Sequence, residues 1–436
     1  MAGLGWFSIV RLGLVQASIG AIVMLATSLL NRVMVVEYAL MAAIPAGLVA
    51  WHYAVQLSRP LWGYGSDTGN MRTPWIIGGM GVLALGAVIA INATMLIAGN
   101  PVLGGTLAVL AFTMIGAGVG AAGTSMLALL ASGVAPERRA AAAAVTWIMM
   151  IAGIVVAAGS AGALLDPFSE QRLAIVGTGV ALTAFLLPLV ALKGLERNMV
   201  LQPADPDAEP EETASFGEAL REILGDLEAR RFTVFVFVSM LAYSMQDLIL
   251  EPFAGLIFFM TPGESTQLSG MQHAGVLLGM IVVGLGGSAF GGRRPNDLRR
   301  WIVGGCLGSG AALAGLAIAA VSGADWPLKT NVFLLGFSNG IFAVAAIGAM
   351  MGLAGAGTKA KEGVRMGVWG ASQAIAFGLG GLTGAVGVDI ARSVMGVDGS
   401  AFQLIFAIEA GLFVIAAMLA IQATAARKTP IGVAKI

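Results

Sequence analysis

Residues 239–273 read SMLAYSMQDLILEPFAGLIFFMTPGESTQLSGMQH. The run begins as a membrane-spanning apolar helix, yet it places Gln246, Asp247 and Glu251 within two turns of one another. An ionisable side chain at such depth costs about 2.5–3.5 kcal/mol on insertion scales, so it faces a protein interior or a watery cavity and marks a functional site. Pro252 follows Glu251 directly. Proline removes a backbone donor and crowds the preceding turn, so a kinked or interrupted helix with free carbonyls is expected there.

The rest of the chain has the same solvent. Of 436 residues, 58% are hydrophobic and only 11% charged, which excludes a soluble globule with a single core. Glycine, at 62 residues, is about twice its usual share, as close helix packing in a membrane requires. Hydropathy gives twelve spanning segments, near 12–31, 38–57, 74–98, 103–132, 141–164, 173–193, 232–258, 270–291, 301–321, 329–356, 366–388 and 402–425. With that division, all but four of the 24 basic residues fall on the side of the termini. The exceptions are Arg32, Arg172, Lys329 and Arg392. Both termini are therefore expected in the cytoplasm. Arg11 follows apolar residues, the wrong order for a cleavable signal, so the first residues read as an interfacial lead-in to the first span. The single Cys306 offers neither a disulfide nor a thiolate metal cluster.

One long polar segment divides the chain. The expected units are a six-helix bundle over 1–193, a cytoplasmic linker over 194–231, a second six-helix bundle over 232–425 and a cytoplasmic tail over 426–436. Within the linker, QPADPDAEPEET (202–213) reads as loosely held. Residues 216–231 read as an amphipathic surface helix introduced by a capping-box pattern. The halves are weakly alike. The first helix of each ends in polar residues and an acid: Asn31, Arg32 and Glu37 in one, Gln246, Asp247 and Glu251 in the other. The fifth helix of each is Gly/Ala-rich and ends on an aspartate, Asp166 and Asp389, after a basic loop. An all-α integral membrane protein of twelve transmembrane helices, in two pseudo-symmetric bundles facing a central cleft, is the major facilitator architecture. Its usual Gly-x-x-x-Asp loop after the second helix is matched by Gly63 and Asp67, flanked by Arg59 and Arg72. A cytoplasmic gate or latch is the expected role of these four.

The run YSMQDLILEPFAGLIFFMTPGESTQLSGMQHAGVLLGM, together with LLNRVMVVE (29–37) and LSRPLWGYGSD (57–67), resembles the PucC-like family of bacteriochlorophyll-delivery proteins over nearly the whole chain. The resemblance implies a major facilitator fold in the inner or photosynthetic intracytoplasmic membrane. It also implies bacteriochlorophyll or a late precursor as bound cargo, with no catalytic cofactor. The implied partners are membrane lipid and light-harvesting or reaction-centre apoproteins. Chlorophyll synthase, other pigment-synthesis enzymes and the insertion machinery are further candidate partners. Glu37, Asp67, Gln246, Asp247, Glu251 and Pro252 stand in the matching motifs. With Asn31 and Arg32, the intramembrane members are the candidates for contact with pigment or substrate.

Pigment magnesium takes one axial ligand, often a neutral imidazole. His52, between Trp51 and Tyr53, and His273 are the candidates, each against the competing reading of an ordinary interfacial histidine. No site for a protein-held metal is expected. The acids serve equally in a second hypothesis, a proton-coupled transporter of a small solute. A third is a non-transporting scaffold for pigment-synthesis enzymes. An enzyme is not expected, because no clustered aspartates of the DDxxD kind are present to hold magnesium and diphosphate. Nothing suggests nucleic acid.

Overall fold

The computed structural model describes residues 4–59, 61–62, 66, 71–135, 138–196, 225, 227–285, 295–355 and 362–423. Gly63, Asp67, the 202–213 segment and the 426–436 tail lie outside them, as does most of the expected surface helix. Twelve helices of three or more turns run through the described residues: α1 (Trp6–Met24), α2 (Ala43–Val55), α3 (Thr73–Ile97), α4 (Pro101–Gly133), α5 (Arg139–Leu165), α6 (Glu170–Leu192), α7 (Leu227–Phe258), α8 (Pro262–Leu285), α9 (Pro295–Ser322), α10 (Leu328–Gly355), α11 (Glu362–Met395) and α12 (Asp398–Ala423). Among the described residues, ten stretches are long and apolar enough to cross a membrane. The chain is a multi-pass membrane protein.

The two helices outside that group are α2, with 13 residues, and α8, whose first turns carry Glu264, Ser265, Thr266, Gln267 and Ser269. Both bury themselves against helices from the opposite half of the sequence: α2 packs on α11, and α8 on α5. Within the halves, α1 packs on α5 and α6, and α3 on α4, while α7 packs on α11 and α12, and α9 on α10 and α12. Glycine permits the closest approach. A Cβ at Gly336 of α10 would fall 1.9 Å from the Gln272 carbonyl oxygen of α8, so no larger residue fits there.

Three expectations about local structure change. The first helix begins at Trp6 rather than residue 12. Arg11 does not sit in the headgroup region alone but donates from Nε to Ala191 O and from Nη2 to Lys193 O, both at 2.6 Å, satisfying carbonyls at the end of α6. Helix α8 begins eight residues before its apolar run, because Glu264, Ser265 and Ser269 have partners inside the protein. The third change concerns Pro252. Helix α7 continues through it to Phe258, and the irregular backbone lies in the first helix instead, as π-helical turns over Leu25–Leu30 and Val33–Glu37.

The first and seventh helices end alike. Ala39 and Phe259 adopt left-handed φ values of 51° and 55°. In each case the next residue closes a seven-residue turn, one residue wider than a Schellman motif: Leu40 N donates to Met34 O (3.0 Å) and Met260 N to Ala254 O (3.2 Å). These two turns mark one end of the molecule, hereafter the upper end.

Candidate functional site

A proline at position 252 leaves the carbonyl four residues earlier, at Leu248, without its helical donor. Asn31 Nδ2, on the first helix, donates to Leu248 O at 2.7 Å. The two candidate residues are thus one device: Pro252 frees an acceptor and Asn31 of the other half takes it. Asn31 is 1% exposed, so losing its amide leaves the carbonyl unsatisfied at about 1–3 kcal/mol. Asn31→Ala is expected to lose that much stability, measured by denaturant titration in micelles, whereas in a Pro252→Ala background, where residue 252 regains its N–H, the same change costs less. Equal costs in both backgrounds would show that the pairing carries no energy.

Above this bond the seam tightens. Arg32, 2% exposed, forms an ion pair with Glu37 and donates from Nη2 to Met260 O at 2.7 Å, tying the first helix to the α7–α8 turn. Below the turn, Ser28 and Ser269 stand 3.1 Å apart, hydroxyl to hydroxyl, and Ser265 Oγ lies 3.5 Å from Glu251 Oε2. The structure therefore brings Asn31, Arg32, Glu37, Glu251 and Pro252 into one seam between α1, α7 and α8. Glu251 Oε1 has no partner among the described residues, nor does either polar atom of the fully buried Gln246.

Asp247, one residue on from Gln246, turns away from this seam and is half-buried. It interacts electrostatically with Tyr53 of α2, Tyr243 of α7 and Glu409 of α12. Around it the rings form a chain across the halves: Tyr53 to Phe377 (6.0 Å between centroids), Phe377 to Tyr243 (5.6 Å), Tyr243 to Phe342 (6.2 Å) and Phe342 to Phe413 (5.5 Å). The result is a carboxylate set in an aromatic wall built by α2, α7, α10, α11 and α12.

The two histidines differ in what their lone pairs face. His52 is buried, with Nδ1 3.3 Å from Val49 O and Nε2 2.9 Å from Gln56 Nε2, while Arg59 Nη2 holds Gln56 Oε1 at 2.5 Å. A carbonyl only accepts and an amide nitrogen only donates, so the His52 lone pair at Nε2 is taken by Gln56. His273 is half-buried, four residues beyond Ser269 and on the same helix face. Its Nδ1 lies 2.9 Å from Ser269 O, which fixes the proton on Nδ1 and leaves the lone pair on Nε2 in the neutral ring. No described residue donates to that Nε2. Among the described residues no three His, Cys, Asp or Glu side chains converge as a protein-held metal would need.

Arg72 acts within the first half: Glu196 caps the start of α3 by accepting from Arg72 N (2.7 Å) and Thr73 N (2.8 Å), while the Arg72 guanidinium reaches Ala128 O and Ser132 Oγ on α4.

Sequence reasoning missed three groups. Asp389, at the upper end of α11, accepts from Ala42 N (3.1 Å) and Ala43 N (2.8 Å), capping α2 of the opposite half. Asp166, at the upper end of α5, accepts from Thr261 Oγ1 (2.8 Å) just before α8, where Thr261 and Glu264 form a capping box. Both aspartates were visible as helix ends, and only the fold shows that each reaches across the halves. Glu409 was legible: an acid in FAIEAGLF, midway along the last span, carries the same cost as Asp247. It is fully buried and neither carboxylate oxygen has a partner among the described residues.

Residues 29–428 match the model of the PUCC protein family. The chain belongs to the PUCC protein family. Against individual PUCC relatives, it is 52% identical over 428 residues to the "Bacteriochlorophyll synthase 44.5 kDa chain" of Rhodobacter capsulatus, covering 97% of each chain. It is 32% identical to "Protein PucC" of Cereibacter sphaeroides, covering 92% of this chain and 89% of that one. Among solved structures, a bacterial homologue of the human lysosomal transporter Spinster, in an inward-facing and unoccupied conformation, superposes with a TM-score of 0.71 at 16% identity, covering 97% of this chain and 98% of that one. The PUCC fold in this chain is thus similar to that of major facilitator transporters.

Proposed function

We propose that this protein binds bacteriochlorophyll or a late precursor and hands it to light-harvesting or reaction-centre apoproteins during assembly of photosynthetic complexes in the intracytoplasmic membrane. The observation that carries the reading is the end-to-end match to a relative whose name ties it to bacteriochlorophyll synthesis. The side chains suit such a cargo. The wall of Tyr53, Phe377 and Tyr243 offers stacking surface for a flat macrocycle, and Asp247 offers an acceptor or donor to its polar rim. His273 Nε2 carries a lone pair of the kind that ligates magnesium, whereas that of His52 is occupied. Asn31, Arg32, Glu37, Glu251 and Pro252 close the upper end above the cargo, and the buried amide of Gln246, without a partner among the described residues, is a further candidate contact.

The reading includes twelve spans in two six-helix bundles, 1–193 and 232–425, joined by the 194–231 linker, with both termini cytoplasmic. The crosswise pairs α5–α8 and α2–α11, the paired left-handed turns and the one-sided basic residues support it. The upper end is then periplasmic. Arg59, Gly63, Asp67 and Arg72 belong to the cytoplasmic side as gate or scaffold residues.

Protein purified from a pigment-making host is expected to carry bound pigment, seen by absorption. His273→Leu is expected to lower pigment per protein by roughly tenfold or more, since even partners of metal ligands are worth about 10- to 100-fold. His52→Leu is expected to leave that ratio nearly unchanged. Colourless protein that drives solute uptake in vesicles would replace this reading with a proton-coupled transporter, for which the buried acids Glu251 and Glu409, each with a carboxylate oxygen that has no partner among the described residues, would serve. The relative's designation as one chain of a synthase favours a further role as a scaffold beside pigment-synthesis enzymes. Co-purification of a prenyl-transferring activity with colourless protein would favour that role over delivery.

A further inference from the structure

A groove of approximately 1010 Å³ opens between α1, α5 and α6, away from the aromatic wall. Its bed is cut by small residues, Ala152, Gly153, Ala157 and Ala161 on α5 and Gly179 on α6. Its lips, Val156 and Ile175, are 70% and 65% exposed, so it opens sideways towards the bilayer. From Met149 to Leu164 it runs about 22 Å along α5. Small residues and lipid exposure alone would describe any gap that acyl chains fill.

Two polar groups make this one different. At its upper mouth the half-buried Arg172 donates to the Asp166 carbonyl and has no carboxylate partner among the described residues. Arg172 sits in the first turn of the 23-residue α6, where the helix dipole adds to the positive field. Glu170, the acid of that turn, accepts a hydrogen bond from the Tyr38 hydroxyl at 2.8 Å, and burial together with the Glu170 carboxylate pushes that phenol up, so it stays a donor. Deep in the groove lies Ser18. Its neighbour Ala17 packs on Gly153, about 20 Å below Asp166 along α5. The Ser18 hydroxyl is 2% exposed and has no partner among the described residues.

An acyl chain presents nothing to a hydroxyl at that depth. A rigid conjugated ring system with oxygen substituents on its rim does. We propose that the groove is a second, lateral binding site for the tetrapyrrole cargo, with the ring between α5 and α6, a rim carbonyl accepting from Ser18 and a carboxyl or ester group at Arg172. This rests on the pigment reading above and adds a port through which a membrane-dissolved molecule enters or leaves without passing the sealed upper end. The volume is at the top of the usual range for small-molecule pockets, as a macrocycle requires.

The test uses the full chain purified from a pigment-making host, with resonance Raman spectra of the bound pigment. Ser18→Ala is expected to shift one carbonyl stretch upward and to lower retention about fivefold, and Arg172→Gln to lower retention about tenfold. Ser160→Trp, at an exposed position on the groove lip, is expected to block the site without entering the core. In a His273→Leu background, which removes the central ligand, pigment that remains should vanish on adding Ser160→Trp. If wild type binds pigment but all three groove variants keep its amount and carbonyl frequencies, this inference fails while the delivery reading stands. If wild type binds none, the delivery reading fails first. Phospholipid recovered from the groove in place of pigment, lost on Ser160→Trp, would overturn the choice of ligand.

Discussion

Glu37→Ala is expected to lower stability by about 3 kcal/mol, at the lower edge of what breaking a buried ion pair costs. The physical reason is Arg32. Its guanidinium is 2% exposed, its Nε has no partner among the described residues, and apart from Glu37 its hydrogen-bond partner among the described residues is the Met260 carbonyl. Removing Glu37 takes away the directly paired counter-ion and leaves the positive charge in the seam between α1, α7 and α8 with Glu251 as a more distant electrostatic partner. Glu37 itself is about a third exposed, which tempers the cost. The pair need not stabilise the fold beyond an apolar contact of the same shape, so Arg32→Met with Glu37→Met is expected to recover most of the loss. Titration with denaturant in micelles checks both. A double variant as weak as Glu37→Ala alone would mean that Arg32 acts chiefly through Met260 O.

These seam residues show what a sequence can and cannot disclose. That Asn31, Arg32, Glu37 and Glu251 are functional or structural centres follows from their cost in a membrane, which is a property of each residue in its local context. Their partners are not local. Pro252 signals a free carbonyl, and interruption of the helix is the natural expectation. The alternative, a side-chain amide from a helix more than two hundred residues away, requires the fold. Helix α8 was placed eight residues late for a related reason: Ser265 and Ser269 look like loop until Glu251 and Ser28 are seen beside them. Ten of the helices are legible by apolar length alone, whereas α2 is short and α8 begins with polar residues. The histidines were legible as candidates only, since the difference between them lies in Gln56 and Ser269, which decide where each lone pair points.

The second large effect concerns the crosswise aspartates. Asp389 caps α2 through two backbone amides, and Asp166 holds Thr261 at the start of α8, so each fifth helix of one half grips the second helix of the other at the upper end. The grip on α8 is close enough that a Cβ at Gly263 would lie 2.4 Å from Asp166 Oδ2. A carboxylate cap of this kind is worth about 1–2 kcal/mol, and the two sites share no residue, so their contributions add. Asp166→Ala with Asp389→Ala is expected to shift the balance between closed and open upper ends by about 2–4 kcal/mol, or about 30- to 800-fold in the ratio of the two. Spin labels at Met41 and Val394, which are 61% and 79% exposed at the upper ends of the two halves, would read this as a longer and broader distance distribution. Cys306 is fully buried and leaves the labelling background low. Each single variant should move the distribution part of the way. If the double variant keeps the closed distance, the seal resides in Arg32, Glu37 and the Asn31 amide. Glu37→Ala in the same labelled protein would then be the change that opens it.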